Sequence, residues 1–211
     1  MTPEPAIRGL YAIADTEYLP NTSLADAVEH AILGGARLIQ YRDRKGDRAT
    51  RRCQAEELAR LCRRHGVPLI VNDDVELAAD SGAHGVHLGR ADAPVAVARQ
   101  RLGPRAVIGV SCYNELARGL AAESQGADYA AFGSFFPSRT KPRAVRATLE
   151  LLRAARKKLR LPIVAIGGVT PENGAELIAA GADALAAAEG VFNQPDVRAA
   201  AERYASLFKN E

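Results

Sequence analysis

Residues 71–92 read VNDDVELAADSGAHGVHLGRAD, and the fold can be read outward from them. The run entering this stretch, Val67 to Val71, is short, apolar and rich in β-branched residues, as a buried strand is. It stops at Asn72-Asp73-Asp74. Val75 to Ala79 predicts a short helix that Gly82 closes, and Gly85 to Gly89 a second apolar strand running into Arg90-Ala91-Asp92. Two parallel strands joined by a helix release their carboxyl ends on one face, and ligands bind at that face in α/β sheets and barrels. Asp73 and Asp92 can therefore hold one hard cation between them, with a ligand's phosphate oxygens completing the shell, as is usual for Mg²⁺. Helix capping competes for the same residues. For Asp74 the cap is the expectation; for Asp73 and Asp92 spacing alone leaves both uses open.

The same unit recurs on both sides. Strands are predicted at 9–15 (GLYAIAD), 37–43 (RLIQYRD), 106–112 (AVIGVSC), 128–135 (DYAAFGSF), 162–168 (PIVAIGG) and, more weakly, 184–191. Helices are predicted over 24–33 after the N-cap Ser23, over 47–65 up to Gly66, over 94–102, 115–125 and 143–160, after Thr170-Pro171, and from Asp196 through Phe208. Eight strands alternating with helices predict a single-domain (β/α)₈ TIM barrel spanning 1–211. A doubly wound open sheet is the alternative, against which stand the regular unit length and the absence of a GxGxxG fingerprint.

Composition agrees. Of 211 residues 47% are hydrophobic but only 5% aromatic, with no Trp, so the core must be built of Ala, Leu, Val and Ile, which suits a parallel sheet under Ala-rich helices. The net charge of +3 is mild and its arginines are scattered, so nucleic acid is not an expected partner. Cys53, Cys62 and Cys112 lack metal-ligand spacing and read as free thiols of a reducing compartment. No run reaches the length of a membrane span and no signal core opens the chain; a cytoplasmic protein without a membrane partner is expected, and homo-oligomer formation is left open.

Polar residues at the strand ends form a set. Gln40 and Arg42 alternate with Ile39 and Tyr41, so both can face the barrel mouth; Arg42 and Lys45 are either a diphosphate site or an exposed basic turn. Ser111 is either a ligand contact or a satisfied core hydroxyl. Pro137 to Lys141 is a constrained loop of two hydroxyls and a cation. Gly167-Gly168 before a helix N-terminus can expose backbone N–H groups to a phosphate. His87 lies inside a strand and reads as barrel-lining, while His30, His65 and His84 read as structural or solvated. No nucleophile–base–acid triad and no GxSxG are present, which favours catalysis by metal and charge.

Taken in order, LIQYRDRK (38–45), VNDD (71–74), GVHLGRAD (85–92), IGVSCYN (108–114), FGSFFPSRTKP (132–142) and PIVAIGGVTPEN (162–173) resemble the thiamine phosphate synthase (thiamine-phosphate pyrophosphorylase) family over nearly the whole chain. The resemblance implies a Mg²⁺-dependent transferase. Hydroxymethylpyrimidine diphosphate loses pyrophosphate, and the ring nitrogen of hydroxyethylthiazole phosphate attacks the methylene carbon to give thiamine phosphate. By the same resemblance Gln40, Tyr41, Arg42, Asp43, Arg44, Asn72, Ser111 and Lys141 contact the pyrimidine diphosphate, with Arg42, Lys141 and Ser111 as the catalytic groups. Asp73 and Asp92 are the metal ligands. Ser138, Arg139, Thr140 and Gly168 hold the thiazole phosphate, with Ala188 and Glu189 where the family often has Val-Ser. A carboxylate at Glu189 repels a phosphate unless it points away. The alternatives are a thiazole tautomerase-like relative and a non-catalytic thiazole phosphate-binding barrel; neither needs the Gln-Arg-Lys set together with both carboxylates.

Overall fold

The computed structural model describes residues 7–19, 23–137 and 145–209. Eight parallel strands close into a barrel in sequence order: β1 Gly9–Asp15, β2 Ala36–Arg42, β3 Leu69–Asn72, β4 Gly85–Leu88, β5 Val107–Tyr113, β6 Tyr129–Phe132, β7 Ile163–Ile166 and β8 Ala184–Ala187. Closure is made by β1, which pairs with both β2 and β8. The helices are α1 Leu24–Leu33, α2 Arg48–His65, α3 Val75–Ser81, α4 Val95–Leu102, α5 Leu116–Ser124, α6 Leu149–Lys158, α7 Pro171–Ala179, the single turn α8 Glu189–Phe192, and α9 Val197–Ser206. Among the described residues no helix is long and apolar enough to cross a membrane.

The period of two along each strand sorts side chains into two cores. Leu10, Ile39, Tyr41, Val71 and Leu185 point outward and pack under the helices. Tyr11, Leu38, Ile70, Tyr129 and Val164 point inward and fill the barrel itself. The inner residues of β8 are Ala184 and Ala186, and β6 adds Ala131. These small side chains leave room above them, and the space opens at the carboxyl ends of the strands.

Caps place the elements. Ser23, Asp47, Asp74 and Asp196 each accept a backbone N–H of the following helix with their side chains. Gly66 and Gly82 end α2 and α3 in the left-handed region. Asp74 is thus the expected cap, and it also pairs with Arg51 at 3.1 Å. Pro94 sits one residue earlier than expected, as the N-cap of α4.

Three predicted spans are corrected by three residues or more at one end. The sixth strand ends at Phe132 rather than 135. The helix expected over 143–160 starts at Leu149, with Thr148 as its cap; its first two positions, 143–144, lie outside the described residues. Ahead of Thr148, Ser134 N–H donates to Val145 O (3.1 Å) and Ala147 N–H to Ser134 O (3.0 Å), so these residues pair with the segment after β6 instead of coiling. The eighth strand stops at Ala187, because turning at Ala188 carries Val191 and Phe192 into the core.

Candidate active site

At the carboxyl ends of the strands lies a cavity of about 730 Å³. Its β1–β2 wall carries Gln40 and Arg42, on the same face as expected. Arg42 forms an ion pair with Asp15, the last residue of β1, which is 1% exposed. Burial pushes the Asp15 carboxyl above its usual range, while the guanidinium against it favours the charged form. A guanidinium has five N–H donors, so this pair leaves Arg42 donors for a ligand. Asp15 is an addition to the expected site residues. The signal that could have found it is its position at the end of GLYAIAD, a carboxylate closing a strand as at Asp73 and Asp92.

Other residues of this segment do not face the cavity. Tyr41 lies on the outer side of β2, where it is buried and donates to Gln54 Oε1 on α2 at 2.7 Å. Strand alternation turns its side chain away from the cavity, since it is one residue out of phase with Gln40 and Arg42. Asp43 holds the turn. Burial disfavours its charge, but it accepts N–H groups from Lys45 (2.9 Å) and Gly46 (3.0 Å) and the Thr16 hydroxyl (3.1 Å), and its pKa is lowered on balance. Arg44 is exposed and outside the cavity lining, and Lys45 pairs with Glu17 at 3.2 Å.

Beneath Gln40 runs a chain of hydrogen bonds across the barrel. Gln40 Nε2 donates to Tyr11 Oη (2.8 Å), Tyr11 Oη meets Tyr129 Oη (2.8 Å), Tyr129 Oη meets His87 Nδ1 (2.9 Å), and His87 Nε2 meets Ser111 Oγ (2.8 Å). His87 is therefore barrel-lining, and Ser111 both lines the cavity and is tied into the interior. The rings are held by packing: His87 stacks on Tyr129 with centroids 5.5 Å apart, and Tyr11 meets Tyr129 edge-on. A Cβ on Gly109 would lie 1.9 Å from Tyr129 Cζ, so β5 needs glycine there to seat that ring. Tyr11 and Tyr129 are not among the expected site residues; their meeting spans 118 residues and no local pattern encodes it.

Asn72 lines the cavity where β3 ends. Asp73 follows with φ 63°, an uncommon left-handed conformation that aspartate tolerates better than most residues. Its N–H donates to His87 O at 2.8 Å, tying the end of β3 to β4. Asp92 folds back after β4 and accepts the Gly89 N–H with Oδ2 at 2.6 Å. Tyr113, also at positive φ, lines the cavity nearby and accepts the Arg90 N–H at 3.3 Å. Among the described residues no group of three or more His, Cys, Asp and Glu side chains can hold a metal. Neither Asp73 nor Asp92 is among the residues that line the cavity; an ion held by these two hard carboxylates would draw its remaining oxygens from water or a ligand, as Mg²⁺ commonly does.

The opposite wall is backbone. Gly167 and Gly168 both have positive φ, and a Cβ on Gly168 would lie 2.5 Å from Pro137 O, so the turn needs glycine for conformation and for space. Asn173 fastens it, accepting the Thr170 N–H at 2.8 Å and donating to Gly168 O at 3.0 Å. Tyr204 on α9 donates to Val169 O from behind at 2.9 Å. The turn opens α7, whose N-terminal end attracts anions. Ala188 and Glu189 line the same side. Ser138, Arg139, Thr140 and Lys141 lie outside the described residues. Cys112 packs in the outer core, away from the cavity, and burial pushes its thiol up to about 12, so it is no nucleophile.

Comparison with known proteins agrees with this fold. The family model described as thiamine monophosphate synthase matches residues 10–191. The chain is 56% identical to the thiamine-phosphate synthase of Nitrosococcus oceani over 96% of this chain and 94% of that one. It is 54% identical to that of Thiobacillus denitrificans, over 96% of each. Among solved structures, the thiamine phosphate pyrophosphorylase of Pyrococcus furiosus superposes with a TM-score of 0.84 at 35% identity, covering 94% of both chains.

Proposed function

The chain belongs to the thiamine monophosphate synthase family, a family of transferases, and from that premise we propose how this barrel mouth makes thiamine phosphate. The observation that carries the reading is the meeting of two unlike walls in one cavity. Gln40, Arg42, Asn72 and Ser111 stand on one side and the Gly167–Gly168 turn on the other. The first suits the pyrimidine diphosphate and the second the thiazole monophosphate.

Gln40 and Ser111 position the pyrimidine ring, and Arg42 holds the diphosphate. The bond between the ring methylene and the diphosphate oxygen breaks first, and its electron pair leaves with pyrophosphate. The amino-substituted ring spreads the positive charge left on the methylene. The thiazole nitrogen, presented by a phosphate anchored at Gly168 and α7, donates its lone pair to that carbon. Arg42 and Lys141 stabilise charge growing on the leaving oxygens, the kind of preorganised stabilisation that dominates many barriers. A Mg²⁺ held by Asp73 and Asp92 would add Lewis-acid neutralisation of the diphosphate. Ile13, Ala131, Val164 and Ile166 form apolar lining that limits water, which would otherwise capture the cation.

The test is pyrophosphate release by the purified protein. Release that needs both substrates and Mg²⁺, with thiamine phosphate appearing in equal amount, is the expected result. Thiazole phosphate binding without any release would overturn the reading.

Glu189 sets a second expectation. Glu189 lines the cavity on the side of the proposed phosphate position, and a carboxylate facing that position opposes a dianion there. Glu189→Gln keeps the shape and removes the charge. At a separation of several ångströms and an effective dielectric near 20, relief is on the order of 1 kcal/mol after screening. The KM for thiazole phosphate should fall roughly five-fold, with kcat and the KM for pyrimidine diphosphate little changed. Initial rates at varied thiazole phosphate check this, and an unchanged or raised KM refutes it.

A further inference from the structure

We propose that Tyr11, Tyr129 and His87 form a hydrogen-bond relay that makes Gln40 and Ser111 show opposite polarity to the cavity, so that the pocket selects a ring offering a donor to one of them and an acceptor to the other. The relay deepens the pyrimidine assignment above and rests on it only for the identity of the ring.

The polarity follows from counting protons. Burial pushes both phenols above their ordinary range, so each keeps one proton and gives it in one direction. Gln40 Nε2 donates to Tyr11, so the Tyr11 proton goes to Tyr129. Tyr129 in turn donates to His87 Nδ1. A neutral imidazole then carries its proton on Nε2 and gives it to Ser111 Oγ. The Ser111 proton is left for the cavity, and so is the Gln40 carbonyl Oε1. Turning the Gln40 amide over reverses every link: Gln40 then offers N–H and Ser111 a lone pair. Any mixed state sets two donors or two acceptors against each other inside the barrel, where an unmade hydrogen bond is expensive. The two walls therefore change together. An aminopyrimidine matches the first state, its amino group donating to Oε1 and a ring nitrogen accepting from Ser111. A ring with acceptors at both places satisfies neither state.

Tyr11, Tyr129 and His87 are positioning residues under this scheme, and their test does not depend on turnover. At about pH 8, above the ordinary histidine pKa of about 6.5, ¹⁵N spectra of the ligand-free wild type should show His87 as one tautomer, protonated on Nε2. Tyr11→Phe acts two hydrogen bonds away, yet it frees Tyr129 to donate or accept, and His87 should become a tautomer mixture. Binding gives the second readout, with the 4-amino pyrimidine diphosphate and its 4-methoxy analogue as probes. The wild type should prefer the amino ring by roughly ten- to a hundred-fold, the worth of one unmade buried hydrogen bond. Tyr129→Phe, which keeps the ring and cuts the chain, should lower that preference about ten-fold by letting Gln40 turn independently; the bulk of the methoxy group cancels in the ratio. A His87 tautomer unchanged by Tyr11→Phe, or a ring preference unchanged by Tyr129→Phe, overturns the relay. Wild-type protein that binds neither ring, together with the His87 tautomer shift in Tyr11→Phe, would refute the synthase assignment and leave the relay standing.

Discussion

Replacing Arg42 by Ala should lower kcat by about 10²–10³, the usual cost of losing one preorganised donor to developing negative charge, and should destabilise the fold as well. Both effects come from one ion pair. Asp15 is buried and Arg42 is 13% exposed, so the variant strands a carboxylate in the barrel mouth. Breaking such a pair costs about 3 kcal/mol at the lower end of what buried pairs show, or roughly 6–12 °C in Tm for a chain of this size. A second substitution separates stability from catalysis. Asp15→Asn with Arg42→Ala leaves no stranded charge, so Tm should return to within a few degrees of wild type while kcat stays low. Asp15→Asn alone keeps the guanidinium but frees its anchor, and its loss in kcat should be smaller than that of Arg42→Ala. Thermal melts and initial rates on the three variants decide this. A double variant that recovers activity along with stability would reduce Arg42 to a structural role.

Much of this site is legible in the amino-acid sequence, and the exceptions have physical causes. Alternation along 37–43 places Gln40 and Arg42 on one face and Tyr41 on the other; only the family resemblance draws Tyr41 and its neighbours Asp43 and Arg44 into the ligand set. The alternation is the part that corresponds to the geometry, because the pleat is set by the backbone alone. Helix starts at Ser23, Asp47, Asp74 and Asp196 are legible because a cap is a local bond over three residues. The end of β8 is not, since ALAAAEGVF is an apolar run in which strand and turn are indistinguishable by period. The start of α6 is hidden for another reason: residues 145–147 have helical composition but are held by Ser134. The Tyr11–Tyr129–His87 chain joins β1, β6 and β4, and barrel closure alone brings those strands together.

Asp92→Asn is expected to abolish most of the Mg²⁺-dependent turnover while leaving the protein folded. The structural part of the residue's work survives the change. Asp92 accepts the Gly89 N–H through one oxygen, and an asparagine carbonyl accepts it equally well, so Tm should move by no more than about 3 °C. Its charge does not survive. Of the two carboxylates proposed to hold the metal, the substitution removes one and with it half of that pair's charge. Several kcal/mol of Lewis-acid stabilisation is at stake, and kcat/KM should fall by about 10²–10³. Raising Mg²⁺ should recover part of the loss, because the defect is one of affinity. Asp73→Asn is the matched control, for asparagine also tolerates the left-handed conformation at φ 63°, and it should reproduce both the loss and the partial rescue. Titrating Mg²⁺ against pyrophosphate release for wild type and both variants tests the assignment. Full activity in Asp92→Asn at ordinary Mg²⁺ would move the metal elsewhere and return Asp92 to the simpler task of closing the turn after β4. It would also revive the tautomerase-like reading, which has no use for this carboxylate pair.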